Sequence, residues 1–359
     1  MAQTIRYAST QTIPFDWQDL RHDTIYFQDS LTGIALYQVR NFMDIPIYYA
    51  RDILTEVCFD SICRPLRGTI YWNITGRYLG FALPDGEYLS RYDHEAFEEP
   101  DYTQLNSLLA DPYLPFYGIT FQALIQPTEI EDHTSVDGIS GATSTAISSY
   151  VVHGAAYTTY TMWNIVYGPM RSYIEEITTD QLTSKLLTKI LQSDSDADKI
   201  WGLKKIEPNA ILDIQIERVL LDLVENGDFS VAHTTLKMIS PRHLSSETLQ
   251  VGLLHTYNTV EYNLRKPILQ KFMEAAALSP LVIEGTSKLL SSMNGVQLGY
   301  LLALYEKHKI YSLEILATVA ELLQQGNRFK AEKAHKYLSS ARIDSGQIKE
   351  VLKAYETSK

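Results

Sequence analysis

The spacing of apolar positions changes character about halfway along this chain. Up to about residue 130, short runs of β-branched and aromatic residues are bounded by Gly, Pro, Asp and Asn, which is how strands read. Segments of this kind are Thr24 to Gln28, Gly33 to Val39, Thr69 to Ile74 and Tyr78 to Leu83. The last two, joined by Thr75-Gly76-Arg77, predict a hairpin with glycine in its turn. A short helix is expected over Tyr102 to Leu109, ending before Asp111-Pro112.

From Gly141 to Tyr167 no proline intervenes and Ser140 is a good N-cap, so one long helix is expected there. Tyr150, Tyr157, Tyr160, Trp163, Asn164 and Tyr167 fall on one side of it, and the bland reading of such a stripe is core packing against the sheet. Gly168-Pro169 should end that helix and open a linker to about Thr179.

Beyond this point the β signals stop. Nine amphipathic segments of about three turns follow, from Gln181–Gln192 through Ala210–Glu225, Ser230–Ile239, Thr248–Thr256, Leu264–Ala277, Leu281–Ser291, Val296–Lys307 and Leu313–Gln324 to Ala331–Ser339. Gly227 and Gly326 are each followed, five and twelve positions on, by Ala and an aliphatic residue (Ala232 and Ile239, Ala331 and Leu338). Those glycines lie three intervals of 33 residues apart, a period that suits helix-turn-helix solenoids of the HEAT or tetratricopeptide kind. The expected fold class is therefore an α+β domain over 1–175 followed by an all-α helical array over 180–359.

Composition narrows the function more than the fold. The 359 residues are 45% hydrophobic and 21% charged, as in ordinary globular proteins, with a formal net charge of −12. That charge repels phosphate backbones and no Lys/Arg stripe offsets it, so nucleic acid is excluded as the expected partner. No apolar run reaches the length that spans a bilayer. Tyrosine, at 24 residues against 11 Phe and 4 Trp, suits half-buried sheets and ligand walls. Cys58 and Cys63 are too few for a structural zinc site; a small disulfide across a turn and two reduced thiols both remain open. Met-Ala-Gln-Thr at the start reads as an initiator Met ahead of an end left by signal cleavage, an expectation of export.

The chemistry lies in Asp137-Gly138-Ile139-Ser140-Gly141-Ala142-Thr143. This resembles the flavinylation motif of the FMN-binding domain family, found in a flavin-bearing component of sodium-translocating NADH:quinone reductase, in Rnf complexes and in nitrous-oxide-reductase regulators. All five defined positions match, namely Asp137, Ser140, Gly141, Ala142 and the modified Thr143. The resemblance covers roughly residues 20 to 170. It implies an α+β FMN-binding fold and a covalent FMN, esterified through its phosphate to Thr143 by a flavin transferase that uses FAD. It further implies electron transfer with a protein redox partner in an extracytoplasmic or periplasmic setting. A phosphate on Thr143 in the first turn of the expected long helix would meet free N–H groups and the positive dipole end. Asp93-His94-Glu95 is a weaker cluster, better read as a solvated loop than as a reductase site, and His153 is better read as a packed histidine. No Gly-x-Gly-x-x-Gly, P-loop or Ser-His-Asp ordering stands out.

Overall fold

The structure, a computed structural model, describes residues 12–13, 20–27, 35–57, 65–91, 95–120, 124 and 147–358. The chain divides into two compact units, residues 1–198 and 199–359.

In the first unit, β1 (Arg21–Tyr26), β2 (Ala35–Arg40), β3 (Pro46–Thr55), β4 (Leu66–Asn73) and β5 (Tyr78–Ala82) form one sheet in sequence order. Every neighbouring pair is antiparallel. The hairpin joining β4 to β5 is closed as the sequence predicts. Gly76 takes φ +76°, and Asn73 accepts from the N–H of Thr75 and of Arg77 through its side-chain oxygen. One face of the sheet carries Leu36, Tyr49, Ile70, Trp72 and Phe81, all fully buried.

That face is covered by helices of the same unit. α1 (Glu99–Ala110) precedes α2 (Ala156–Tyr167) and α3 (Pro169–Asp180). The Trp72 indole N–H donates to the Val166 carbonyl of α2 at 3.0 Å, and the Tyr49 hydroxyl meets Thr178 Oγ1 of α3 at 3.0 Å. The linker expected over Gly168 to Thr179 is thus helix α3. Gly168 does end α2, where a Cβ would lie 2.4 Å from the Asn164 carbonyl, but Pro169 then occupies the first position of a new helix, which its fixed φ suits.

The long helix expected from Gly141 is also shorter than read. Among the described residues, Ser148–Tyr150 form a single 3-10 turn and α2 begins only at Ala156. Gly154 at φ +74° and the β-branched pair Val151-Val152 interrupt it, and the Val152 N–H is held by Thr159 Oγ1 instead of a helical carbonyl. The aromatic stripe does pack, and three of its polar tips are held by main-chain carbonyls. Tyr160, Trp163 and Tyr167 donate to the carbonyls of Ile119, Asp111 and Leu109 respectively, at the end of α1 and in the turn after it. Tyr150 lies outside α2 and is 39% exposed.

α4 (Ser184–Leu191) and α5 (Asp196–Leu203) lead into the second unit. It consists of helix pairs α6 (Ile214–Asn226) and α7 (Phe229–Met238), α8 (Glu247–Thr259) and α9 (Tyr262–Glu274), α10 (Pro280–Ser287) and α11 (Gly295–Lys307), α12 (Leu313–Glu321) and α13 (Arg328–Ser340). α14 (Gly346–Thr357) follows. First helices begin at 214, 247, 280, 313 and 346, and second helices at 229, 262, 295 and 328, so each start recurs 33 residues on. Equivalent positions share roles. Ser246, Ser279 and Ser312 cap first helices by accepting a backbone N–H. Ile216, Leu249, Val282, Ile315 and Ile348 are buried in register on these helices. Ile239, Phe272, Tyr305 and Leu338, at or near the ends of the second helices, are buried likewise.

Successive repeats are tied by polar contacts as well. Gln250 donates to the Ala277 carbonyl at 3.0 Å and accepts from the Ser279 N–H at 2.8 Å, joining α8 to the start of α10. The α+β layout followed by an all-α layout is therefore as the sequence indicates.

Candidate functional site

Asp137, Ser140, Gly141, Ala142 and Thr143 lie outside the described residues, as do Cys58, Cys63, Asp93 and His94. Leu124 before the motif and Ile147 after it are both buried. In the turn that precedes Leu124, Phe116 is buried edge-on against Tyr160 and Trp163, with ring centres 5.7 and 5.5 Å away. Tyr113 and Tyr117 flank it, 91% and 94% exposed.

α2 begins thirteen residues after Thr143, so a phosphate on Thr143 is not in the first turn of α2. The helix start expected at Ser140–Thr143 lies outside the described residues. Esterification itself needs only an accessible hydroxyl. His153 is exposed in the turn before α2 rather than on the helix. Glu95 is exposed.

A second polar cluster, which sequence reading missed, centres on Asp198 among the described residues of the first unit. The Asp198 carboxylate has no exposed side-chain surface and accepts from six donors. Oδ1 receives Asn73 Nδ2 at 2.8 Å, Thr75 Oγ1 at 2.6 Å and Arg77 Nε at 3.1 Å. Oδ2 receives Thr12 Oγ1 at 3.0 Å, Arg77 Nη2 at 2.6 Å and Ser193 Oγ at 3.0 Å. Burial acts to raise its pKa, but the hydrogen bonds and charge of Arg77, with Thr75 and Asn73, outweigh it and hold the carboxyl below the usual carboxylate range. Six donors saturate the lone pairs of a carboxylate, so this group is a structural anchor and not a general base. Its sequence signal is faint: an Asn-x-Thr-Gly-Arg turn and a lone Ser/Asp pair more than a hundred residues later.

Elsewhere the described residues hold no group of three or more His, Cys, Asp or Glu placed to bind a metal. None of their helices is long and apolar enough to cross a membrane. No protein family, curated protein or solved structure matches the chain.

Proposed function

We propose that this chain is an extracytoplasmic flavoprotein that carries FMN on Thr143 and exchanges electrons with a protein partner docked on its helical repeats. The observation that carries this reading is the match of Asp137, Ser140, Gly141, Ala142 and Thr143 to every defined position of the flavinylation motif. The context supports it: an α+β unit whose sheet precedes the motif and whose helix α2 follows it. When bound, FMN supplies one- and two-electron redox chemistry, and the protein positions and tunes it. In this chain Thr143 would supply the esterified oxygen, Gly141 close backbone approach and Ala142 room beside it, with Asp137 and Ser140 part of the loop the transferase recognises. In attachment, the Thr143 oxygen replaces AMP on the FMN phosphate of FAD, so the pyrophosphate breaks as the ester forms.

The helical unit belongs with HEAT- or tetratricopeptide-like arrays, whose stacked pairs offer extended surfaces to partners. Its strict 33-residue register favours a second reading, in which the array is an adaptor and the flavin domain is without cofactor. Intact mass after co-production with an exported flavin transferase separates the two. A gain of one FMN, abolished by Thr143→Ala, is expected. No gain in a host whose transferase modifies a control substrate would refute the flavin reading and leave the adaptor.

A further inference from the structure

We propose that the groove between α11 and α13 binds an acidic segment of a protein partner. Gly295, Gly299 and Ala303 form one face of α11 at intervals of four, the two glycines let the Phe329 ring and the Lys333 methylenes of α13 pack close, and a groove of about 340 Å³ opens beside them. Tyr300 and Phe329 line it, and each ring carries an ammonium group: Lys266 Nζ lies 5.2 Å from the Tyr300 centroid and Lys333 Nζ 5.1 Å from that of Phe329. Lys336 lines the same groove.

Three observations select an acidic occupant. First, no carboxylate of the described residues forms an ion pair with Lys266, Lys333 or Lys336, whereas nearby Arg328 is paired to Glu332 at 3.2 Å and Lys288 to Glu284 at 2.7 Å. Glu306 is the single acid among the lining residues, one anion against the two ammonium groups of Lys333 and Lys336, with Lys266 over the Tyr300 ring. Second, the residues capping the second helices change along the array. Asp228 and Glu261 stand before α7 and α9, but Asn294 and Asn327 stand before α11 and α13, so the positive helix ends beside the groove are not offset by a capping carboxylate. Third, the acidity of the chain is unevenly placed: residues 199–359 hold 20 Lys and Arg against 17 Asp and Glu, although the whole chain is −12. An apolar, ring-lined floor with ammonium groups on both sides fits carboxylates alternating with aliphatic side chains better than a run of phosphates.

This inference deepens the reading of the array as a docking surface and rests on that part alone, independent of the flavin. It is tested by fluorescence anisotropy of the full chain titrated into a fluorescein-labelled peptide of alternating glutamate and leucine, with a lysine-leucine peptide as control. Expected is binding of the glutamate peptide only, weakened as salt rises from about 50 to 300 mM. The double variant K333E/K336E should weaken it about tenfold or more. Both positions are at the surface, and circular dichroism checks the fold; should that variant not fold, K333Q/K336Q is read in the same way. Equal affinity for the two peptides, or no loss in the lysine variants, would overturn the proposal. So would preferential binding of a single-stranded oligonucleotide of equal charge. Binding that persists in Thr143→Ala, whatever the flavin result, keeps this test separate from the first.

Discussion

Replacing Asp198 should cost the first unit a large share of its stability. The carboxylate is fully buried and Arg77, its charged partner, keeps 19% of its side-chain surface exposed. Asp198→Ala removes the acceptor for all six donors and takes away the carboxylate paired with a mostly buried guanidinium, a change that costs about 3–5 kcal/mol in comparable buried pairs. The partial exposure of Arg77 places the expectation at the lower end, because water can reach one side of it. Even so, about 3 kcal/mol is a sizeable fraction of the roughly 5–15 kcal/mol by which a domain is stable. Asp198→Asn keeps shape and one acceptor but turns an N–H₂ toward hydroxyl and guanidinium donors, for an expected loss of about 2–4 kcal/mol. The acid dependence sharpens the test. A carboxyl whose folded-state pKa is depressed stabilises fully above its unfolded value near 4 and loses that contribution as pH falls through the folded value. Asp198→Asn should therefore flatten the fall in stability below about pH 4. Urea unfolding followed by tryptophan emission in a Trp201→Phe background reports on this unit, since Trp17, Trp72 and Trp163 all lie within residues 1–198. A loss under about 1 kcal/mol for Asp198→Ala, or an unchanged acid limb for Asp198→Asn, would refute the anchor described above.

Other consequences are smaller and as specific. Gly252 and Gly285 occupy equivalent places in α8 and α10. A Cβ at 252 meets three atoms of Leu221 at 2.2, 2.9 and 3.1 Å, whereas one at 285 meets a single Leu254 methyl at 2.4 Å. Since Ala gains about 1 kcal/mol over Gly inside a helix, Gly285→Ala should be neutral or stabilising in thermal unfolding and Gly252→Ala destabilising; the opposite order would show that Leu221 yields freely. Gly76→Ala forces a side chain into φ +76° with its Cβ 3.1 Å from both Arg171 Cγ and Glu175 Cγ, and should lower stability by about 1–3 kcal/mol, measured by urea unfolding. A Gly76→Ala protein as stable as the parent would mean the turn rebuilds.

What the sequence made legible follows from how local each signal is. The β4–β5 hairpin was readable because Gly76 sits between two β-rich runs, and the helical array because amphipathic spacing recurs within each segment. β3 was not among the strands read: Arg51 and Asp52 break its apolar run, yet Arg51 is buried over the Phe27 ring at 5.6 Å. α3 was hidden because Gly168-Pro169 reads as a stop, although proline is as acceptable at the first position of a helix as it is unacceptable inside one. α5 was hidden by its polar start at Asp196, and α14 by Gly346. The string Asp137 to Thr143 was legible as a resemblance, but the continuity of the helix expected beyond it was not, since Gly154 at φ +74° breaks the run before α2. The Asp198 cluster draws on residues 12, 73–77 and 193–198, and no window of sequence contains it.

That separation bears on the order in which the chain acquires its structure. The sheet pairs each strand with the next, and the helical repeats meet mainly their neighbours, so most contacts form between segments close in sequence and carry little loop-closure cost. The bond from Thr12 to Asp198 spans 186 residues and cannot close until both ends of the first unit are in place. A clasp that closes late is expected to add little to the folding barrier and most of its energy to the barrier against opening. Asp198 should then act as a kinetic lock: Asp198→Ala is expected to leave the folding rate nearly unchanged and to speed unfolding.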